Sequence, residues 1–103
     1  MTRGSDLAVV LRDGRRRRTP RLDIAWRANE AGHPRFGVVV PKYGQTVVAR
    51  NRLRRRLREI ARRRVLSAAG AVDIVVRPRT AAYRATFDEL AVDLDSWLRS
   101  LSD

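Results

Sequence analysis

Nine arginines occupy the fifteen positions from Arg50 to Arg64. Between them Leu53, Leu57, Ile60 and Ala61 recur at spacings of four, three and one, the apolar stripe of an amphipathic helix. Such a helix has one greasy edge and a wide cationic face. Arg52 and Arg56, Arg54 and Arg58, and Arg58 and Arg62 stand one turn apart and repel, and only Glu59 offsets them. A solvated helix face ordinarily mixes signs. The pattern therefore predicts a polyanionic partner that relieves the repulsion. At about 100° per residue, Arg52, Arg55, Arg58, Arg62 and Arg63 spread across the face opposite the leucines. Arg50 lies near the stripe at the first turn. Asn51 sits among the arginines, where its amide can meet a base, a sugar or nearby backbone. Arg64 falls back on the apolar edge, so it is expected to snorkel past the core or to lie where the helix frays.

No comparable constellation exists for covalent chemistry. Asp6, Asp13, Asp23 and Asp73 are scattered, with no pair spaced for two-metal work. There is no Ser/His/Asp order with supporting glycines and no phosphate loop. The lone His33 stands in a polar loop between Gly32 and Pro34 and reads as solvated. The chain has no cysteine, hence no disulfide and no thiolate metal site. No catalytic residue, metal ligand or protein-bound cofactor is assigned. Of the six aromatics, Trp26, Phe36, Phe87 and Trp97 fall on core faces. Tyr43 and Tyr83 fall in loops and are the candidates for stacking on a base.

The chain's 103 residues suffice for one small domain, read as a single RNA-binding unit over 1–103. The formal charge is +12 and the sequence pI about 11.8. Both predict tight, salt-sensitive binding to phosphate backbones. The cations are 22 arginines and Lys42, and arginine grips phosphate with a flat two-pronged fork. Positive charge concentrates in Arg15 to Arg18 and Arg50 to Arg64. After Thr86 the chain carries Asp88, Glu89, Asp93, Asp95 and Asp103 against Arg99, which predicts a second surface turned away from nucleic acid. No apolar run approaches the ~18 residues of a membrane span, and the N-terminus lacks a signal pattern. A cytoplasmic protein is expected, with no membrane association and no protein partner.

The elements that must position the arginine helix follow from periodicity. Ser5 is a candidate cap for a short helix through Asp6 to Arg12, which Gly14 ends. Arg15 to Pro20 reads as a basic loop. Leu22, Ile24 and Trp26 alternate with Asp23, Ala25 and Arg27, a half-buried strand. A turn from Asn29 to Pro34 leads to a uniformly apolar strand, Phe36 to Val40, expected at the centre of the sheet. Thr46 is placed to cap the arginine helix. Gly70 stops that helical region, and Val72 to Val76 is a third strand. Thr86 and Glu89 form a capping box before the helical stripe Phe87, Leu90, Ala91, Leu94, Trp97, Leu98 and Leu101. The order α-β-β-α-β-α predicts an α+β fold, a two-layer α-β sandwich whose small sheet is covered on one side by the two longer helices.

The segment from Arg50 to Glu59 resembles the Arg-Asn-Arg signature of the protein subunit of bacterial ribonuclease P. Phe36-Gly37-Val38-Val39-Val40-Pro41-Lys42 is similar to that family's central strand, Ile74 to Pro78 to its third strand, and Leu7 to Gly14 to its first helix. The resemblance implies a left-handed βαβ crossover, which the general preference for right-handed connections would not predict. It implies that a large RNA subunit performs the phosphodiester chemistry, with Mg²⁺ required by the holoenzyme. By motif, Arg50, Asn51, Arg52, Arg54, Arg55 and Arg58 match contacts to that RNA. Lys42 matches a basic residue at the end of the central strand, and Arg62 extends the set along the helix. The resemblance further implies a cleft between the first helix and the sheet that holds the 5′ leader of precursor tRNA. By strand alternation Ala25, Arg27, Val39 and Arg77 face that cleft, with Leu7 and Leu11 contributed by the helix. The chain departs from the family pattern in a short N-terminal arm, in aliphatic Leu7 and Leu11 where Phe is common, and in Ala25 where Tyr is common.

Two further readings share the composition. A structural RNA-binding protein of ribosomal type would need the same arginine helix but no role in cleavage. The Arg-Asn-Arg motif after a valine-rich strand favours the first reading over it. A helix in the DNA major groove is disfavoured, because no helix-turn-helix pair precedes the arginine helix and no dimer seam is evident.

Overall fold

The structure is a computed structural model that describes residues 4–101. Helix α1 (Gly4–Asp13) leads into strands β1 (Arg15–Arg18), β2 (Leu22–Ala28) and β3 (Arg35–Val38), then helix α2 (Val47–Ile60), strand β4 (Val72–Pro78) and helix α3 (Phe87–Ser100). A four-stranded sheet runs in the order β1-β2-β4-β3. Its β1/β2 and β2/β4 pairs are antiparallel, and its β3/β4 pair is parallel. The chain between the parallel neighbours passes through α2, as a βαβ crossover requires. Among the described residues no helix is long and apolar enough to cross a membrane.

The two-layer α+β architecture is as expected, but the order is α-β-β-β-α-β-α. Arg15 to Arg18 is not a loop. It is an edge strand whose Arg16 lies opposite Ala25 and whose Arg18 lies opposite Asp23. An edge strand tolerates a run of like charge because its side chains fan into water. Gly14 permits the sharp entry, since a Cβ there would lie 2.5 Å from the Val10 carbonyl oxygen and 2.7 Å from that of Trp26. Helix α1 starts at Gly4, so Ser5 lies within the helix rather than before it. Asp103 lies outside the described residues.

The strand expected at the centre, β3, is an edge, and β4 is central with β2. The uniform apolarity of β3 has a different cause: both of its faces are covered. Val38 belongs to the main core, whereas Val39 packs against the cluster under α1.

The main core lies between the sheet and α2 with α3. Leu22, Ile24, Ile74 and Val76 point from the sheet onto Leu53, Leu57, Ile60, Leu90, Leu94 and Trp97. Trp26 meets Trp97 edge-to-face with ring centres 5.7 Å apart. On the opposite face Val10, Ala25 and Val75 form a second small cluster, joined by Leu7, Leu11 and Val39. Both longer helices carry the expected caps. The Thr46 hydroxyl accepts from Ala49 N–H at 3.0 Å. Thr86 and Glu89 exchange the two bonds of a capping box.

Beyond Ile60 the helix widens into one π-helical turn, Ala61–Val65, in which Leu66 N–H donates to the Ala61 carbonyl at 2.9 Å. The extra residue in that turn shifts the phase. Val65 takes the buried position that a continuous α-helix would give residue 64. Arg64 therefore neither snorkels nor frays. It turns toward α3 and pairs with Asp95 at 2.5 Å.

Candidate nucleic-acid interface

The outer face of α2 is the first cationic surface. Leu53, Leu57 and Ile60 anchor the helix, and Arg52, Arg55 and Arg58 stand exposed on the far side. Among the described residues none of these three has an acidic partner. Asn51 is exposed beside them, and its side-chain oxygen accepts from Arg54 Nη1 at 2.8 Å. That bond leaves its amide hydrogens free to donate. Arg54 and Arg50 are half-buried, and Arg50 Nε is buried without a hydrogen-bond partner. Lys42 is exposed in the turn ahead of the helix, where Gln45 N–H donates to its carbonyl at 2.7 Å.

Arg62 differs from the rest of the predicted set. Glu59 accepts from Arg62 at 2.6 Å and from Arg63 at 2.8 Å. These bonds, led by that from Arg62, hold the Glu59 carboxyl below its ordinary value. Arg63 also lies over the Phe87 ring at 5.8 Å. The two arginines are thus already oriented and partly neutralised by Glu59.

Sequence reasoning missed an apolar step on this surface. Val47 and Val48 are 61% and 67% exposed in the first turn of α2. Val48 shares a shallow groove of about 300 Å³ with Asn51, Arg52, Arg55 and Arg56. The signal was available, because extending the helical spacing back from Arg52 and Arg55 puts Val48 on the cationic face. Tyr83 is not a free loop aromatic. It sits in a 3₁₀ turn (Thr80–Arg84), packs against the core and donates to the Pro41 carbonyl at 3.4 Å. Burial raises its phenol pKa despite the opposing charge of Arg50. Tyr43 remains exposed, with a backbone φ of 46°.

The second surface is the sheet face that α1 crosses. Of the six residues expected there, Leu7, Leu11 and Val39 are half-buried and Ala25 is only 3% exposed. The middle of the face is thus an apolar floor largely sealed by α1. Arg27 and Arg77 do share the face and are exposed, but the register sets Arg77 opposite Asp23 and Arg27 opposite Asp73. Four residues of strand, roughly 13 Å, separate them. A cleft of about 200 Å³ collects Leu11, Asp23, Ala25 and Arg77, with Arg16, Arg17 and Arg18 along its β1 side. Arg27 opens instead on a separate depression beside Asp13, Gly14 and Arg15. Arg16 and Arg18 were missed as cleft residues because their segment was read as a loop; strand alternation would have found them. Arg18 pairs with Asp23 at 3.1 Å, and Arg16 donates to the Leu11 carbonyl at the end of α1.

The remaining acids are mostly committed to structure. Asp73 takes a two-pronged grip from Arg35, both bonds 2.7 Å, and a bond from Asn29 at 2.8 Å. Arg35 is the main reason its carboxyl is held below the ordinary range. Asp93, 3% exposed, accepts from the Thr19 hydroxyl, the Arg21 N–H and the Arg21 guanidinium. Among the described residues no group of three histidine or acidic side chains converges on a point where a metal ion could sit. What the two surfaces offer is positive charge in fixed geometry.

The family model described as Ribonuclease P matches residues 1–102. The ribonuclease P protein component of Beutenbergia cavernae is 39% identical over 98% of this chain and 86% of its own length. That of Acidothermus cellulolyticus is 36% identical over 99% and 87%. Among solved structures, the RNase P protein of Thermotoga maritima superimposes with a TM-score of 0.82 at 28% identity, covering 90% of this chain and 91% of that one. The Staphylococcus aureus RNase P protein, at 24% identity, shares the fold with a TM-score of 0.87 over 98% and 93%. The match along the whole chain, together with the arginine helix and its capped entry, places this protein in the ribonuclease P protein-component family.

Proposed function

We propose that this chain assembles with a catalytic RNA and assists endonucleolytic removal of the 5′ leader from precursor tRNA in the cytoplasm. The outer face of α2, with Arg50, Asn51, Arg52, Arg54, Arg55, Arg58, Arg62 and Lys42, holds the RNA subunit. The cleft beside α1, lined by Leu11, Ala25 and Arg77 with Leu7 and Val39 in the apolar cluster behind it, takes the leader, and Arg27 contributes from the far flank of α1. The observation that carries the reading is the row Arg52, Arg55 and Arg58, fixed by a buried stripe and, among the described residues, without an acid to neutralise it. A polycation of this kind relieves repulsion between RNA phosphates. Mg²⁺ held by the RNA is expected to supply the metal chemistry, and the protein lowers the concentration that the assembly needs.

The test is cleavage of a precursor tRNA by a bacterial ribonuclease P RNA at low and high Mg²⁺, with and without this protein. The RNA should cleave poorly at low Mg²⁺ until the protein is added, and the protein alone should not cleave. Metal-dependent cleavage by highly purified protein would overturn the reading. So would a failure of the protein to stimulate the RNA at any Mg²⁺ concentration.

A further inference from the structure

We propose that β1 is a second site for single-stranded RNA, a phosphate track that takes leader nucleotides upstream of those in the cleft. The proposal rests on the reading of the cleft as the leader site. Four consecutive arginines, Arg15 to Arg18, are all exposed on a strand that pairs on one side only. Asp23, paired with Arg18, is the one carboxylate that meets any of them among the described residues. Alternation sends Arg16 and Arg18 to the cleft side and Arg15 and Arg17 to the α3 side, where Arg17 donates to the Ser96 hydroxyl at 3.4 Å. Arginines on the same side repeat every two residues, about 6.6 Å. That step is comparable with the spacing of successive phosphates in an extended strand. A polynucleotide lying along the outer edge meets guanidinium groups from both sides of it.

Three observations select the occupant. An unpaired strand edge can accept a protein strand, but dense positive charge opposes that pairing and favours a polyanion. The cleft that collects Leu11, Ala25 and Arg77 is itself walled by Arg16 and Arg18, so RNA leaving it on this side meets β1 next. Finally, α2 packs beside β3, at the opposite edge of the sheet from β1. An RNA subunit held on α2 leaves β1 to the substrate.

The experiment uses holoenzyme reconstituted with a bacterial ribonuclease P RNA. Its ligands are mature tRNA and precursors with leaders of about 5 and about 15 nucleotides, which bracket the span of a small single-strand groove. The variants are Arg15→Gln with Arg17→Gln, which alternate to the α3 side although Arg17 also borders the cleft, and Arg15→Lys with Arg17→Lys. The wild type should bind the long leader more tightly than the short one. The glutamine variant should bind the long leader about threefold to tenfold more weakly, as two exposed charge pairs would dictate. Its log-log salt slope should be shallower by about 1.4, with the short leader weakened less than the long one. The lysine variant should keep most of the gain. Equal loss on both leaders, no loss, equal loss with lysine, or weakened assembly with the RNA subunit would each overturn the track. If the wild type binds the short-leader precursor no better than mature tRNA, the cleft reading itself fails, and the track fails with it.

Discussion

Two regions use arginine in opposite ways. In the seam between the β1–β2 turn and α3, Arg21 reaches Asp93 at 2.9 Å and Glu89 at 2.8 Å, and Asp93 is buried. On the outer face of α2, Arg52, Arg55 and Arg58 are exposed and meet no acid among the described residues. The residue type is the same, and the role follows from whether a carboxylate is desolvated beside it. In the seam the guanidinium compensates a charge that could not otherwise be buried. On α2 the charge is left to act on a partner. The acidic tail of the sequence, read as a surface turned from nucleic acid, is partly this seam, since its acids at 89, 93 and 95 are engaged by Arg21 and Arg64.

The comparison breaks most readily in the seam. Arg21→Ala strands the Asp93 carboxylate, and breaking a buried pair of this kind should cost roughly 3 kcal/mol, read as a lowered denaturation midpoint. Affinity of the folded protein for the RNA subunit should be retained. On α2 the signs reverse. Arg52→Ala with Arg55→Ala should change stability by less than about 0.5 kcal/mol per site. The log-log salt slope for RNA-subunit binding should become shallower by about 1.4 to 1.8. A stability loss in the second variant comparable to that in the first would erase the distinction.

Two smaller effects sharpen it. Arg77 lines the cleft and Arg27 does not, so Arg77→Ala should cut the preference for precursor over mature tRNA by about threefold. Arg27→Ala should do less, and equal effects would mean that the leader spans both flanks of α1. Asp73 resembles Asp93 as a structural acid. Its pKa is lower folded than unfolded, so its contribution is present above the ordinary carboxylate value near 3.9. That contribution is lost as pH falls through the lower folded value. Asp73→Asn should therefore flatten the acid limb of the stability profile below about pH 4. An unchanged limb would show that the Arg35 grip contributes nothing.

Much of the fold was legible because its signals are local. The stripe of Leu53, Leu57 and Ile60, the Thr46 cap and the Thr86–Glu89 box involve residues within one or two turns, and all are present. The arginine face followed from the same arithmetic as far as Ile60, where the π turn broke the phase. The cleft was legible only in part. Alternation placed Arg77 and Ala25 correctly on one face, but β1 carries no apolar alternation to mark it as a strand.

Sequence by itself determined the apolar stripes of α2 and α3 and the cationic face of α2 as far as Ile60, because hydrophobic periodicity and charge are properties of near neighbours. Tertiary structure decided the rest. It put β4 rather than β3 at the centre of the sheet, drew Arg64 to Asp95, and divided Arg27 from Arg77. Each of these depends on elements distant along the chain, where burial and pairing in the assembled core outweigh any local preference.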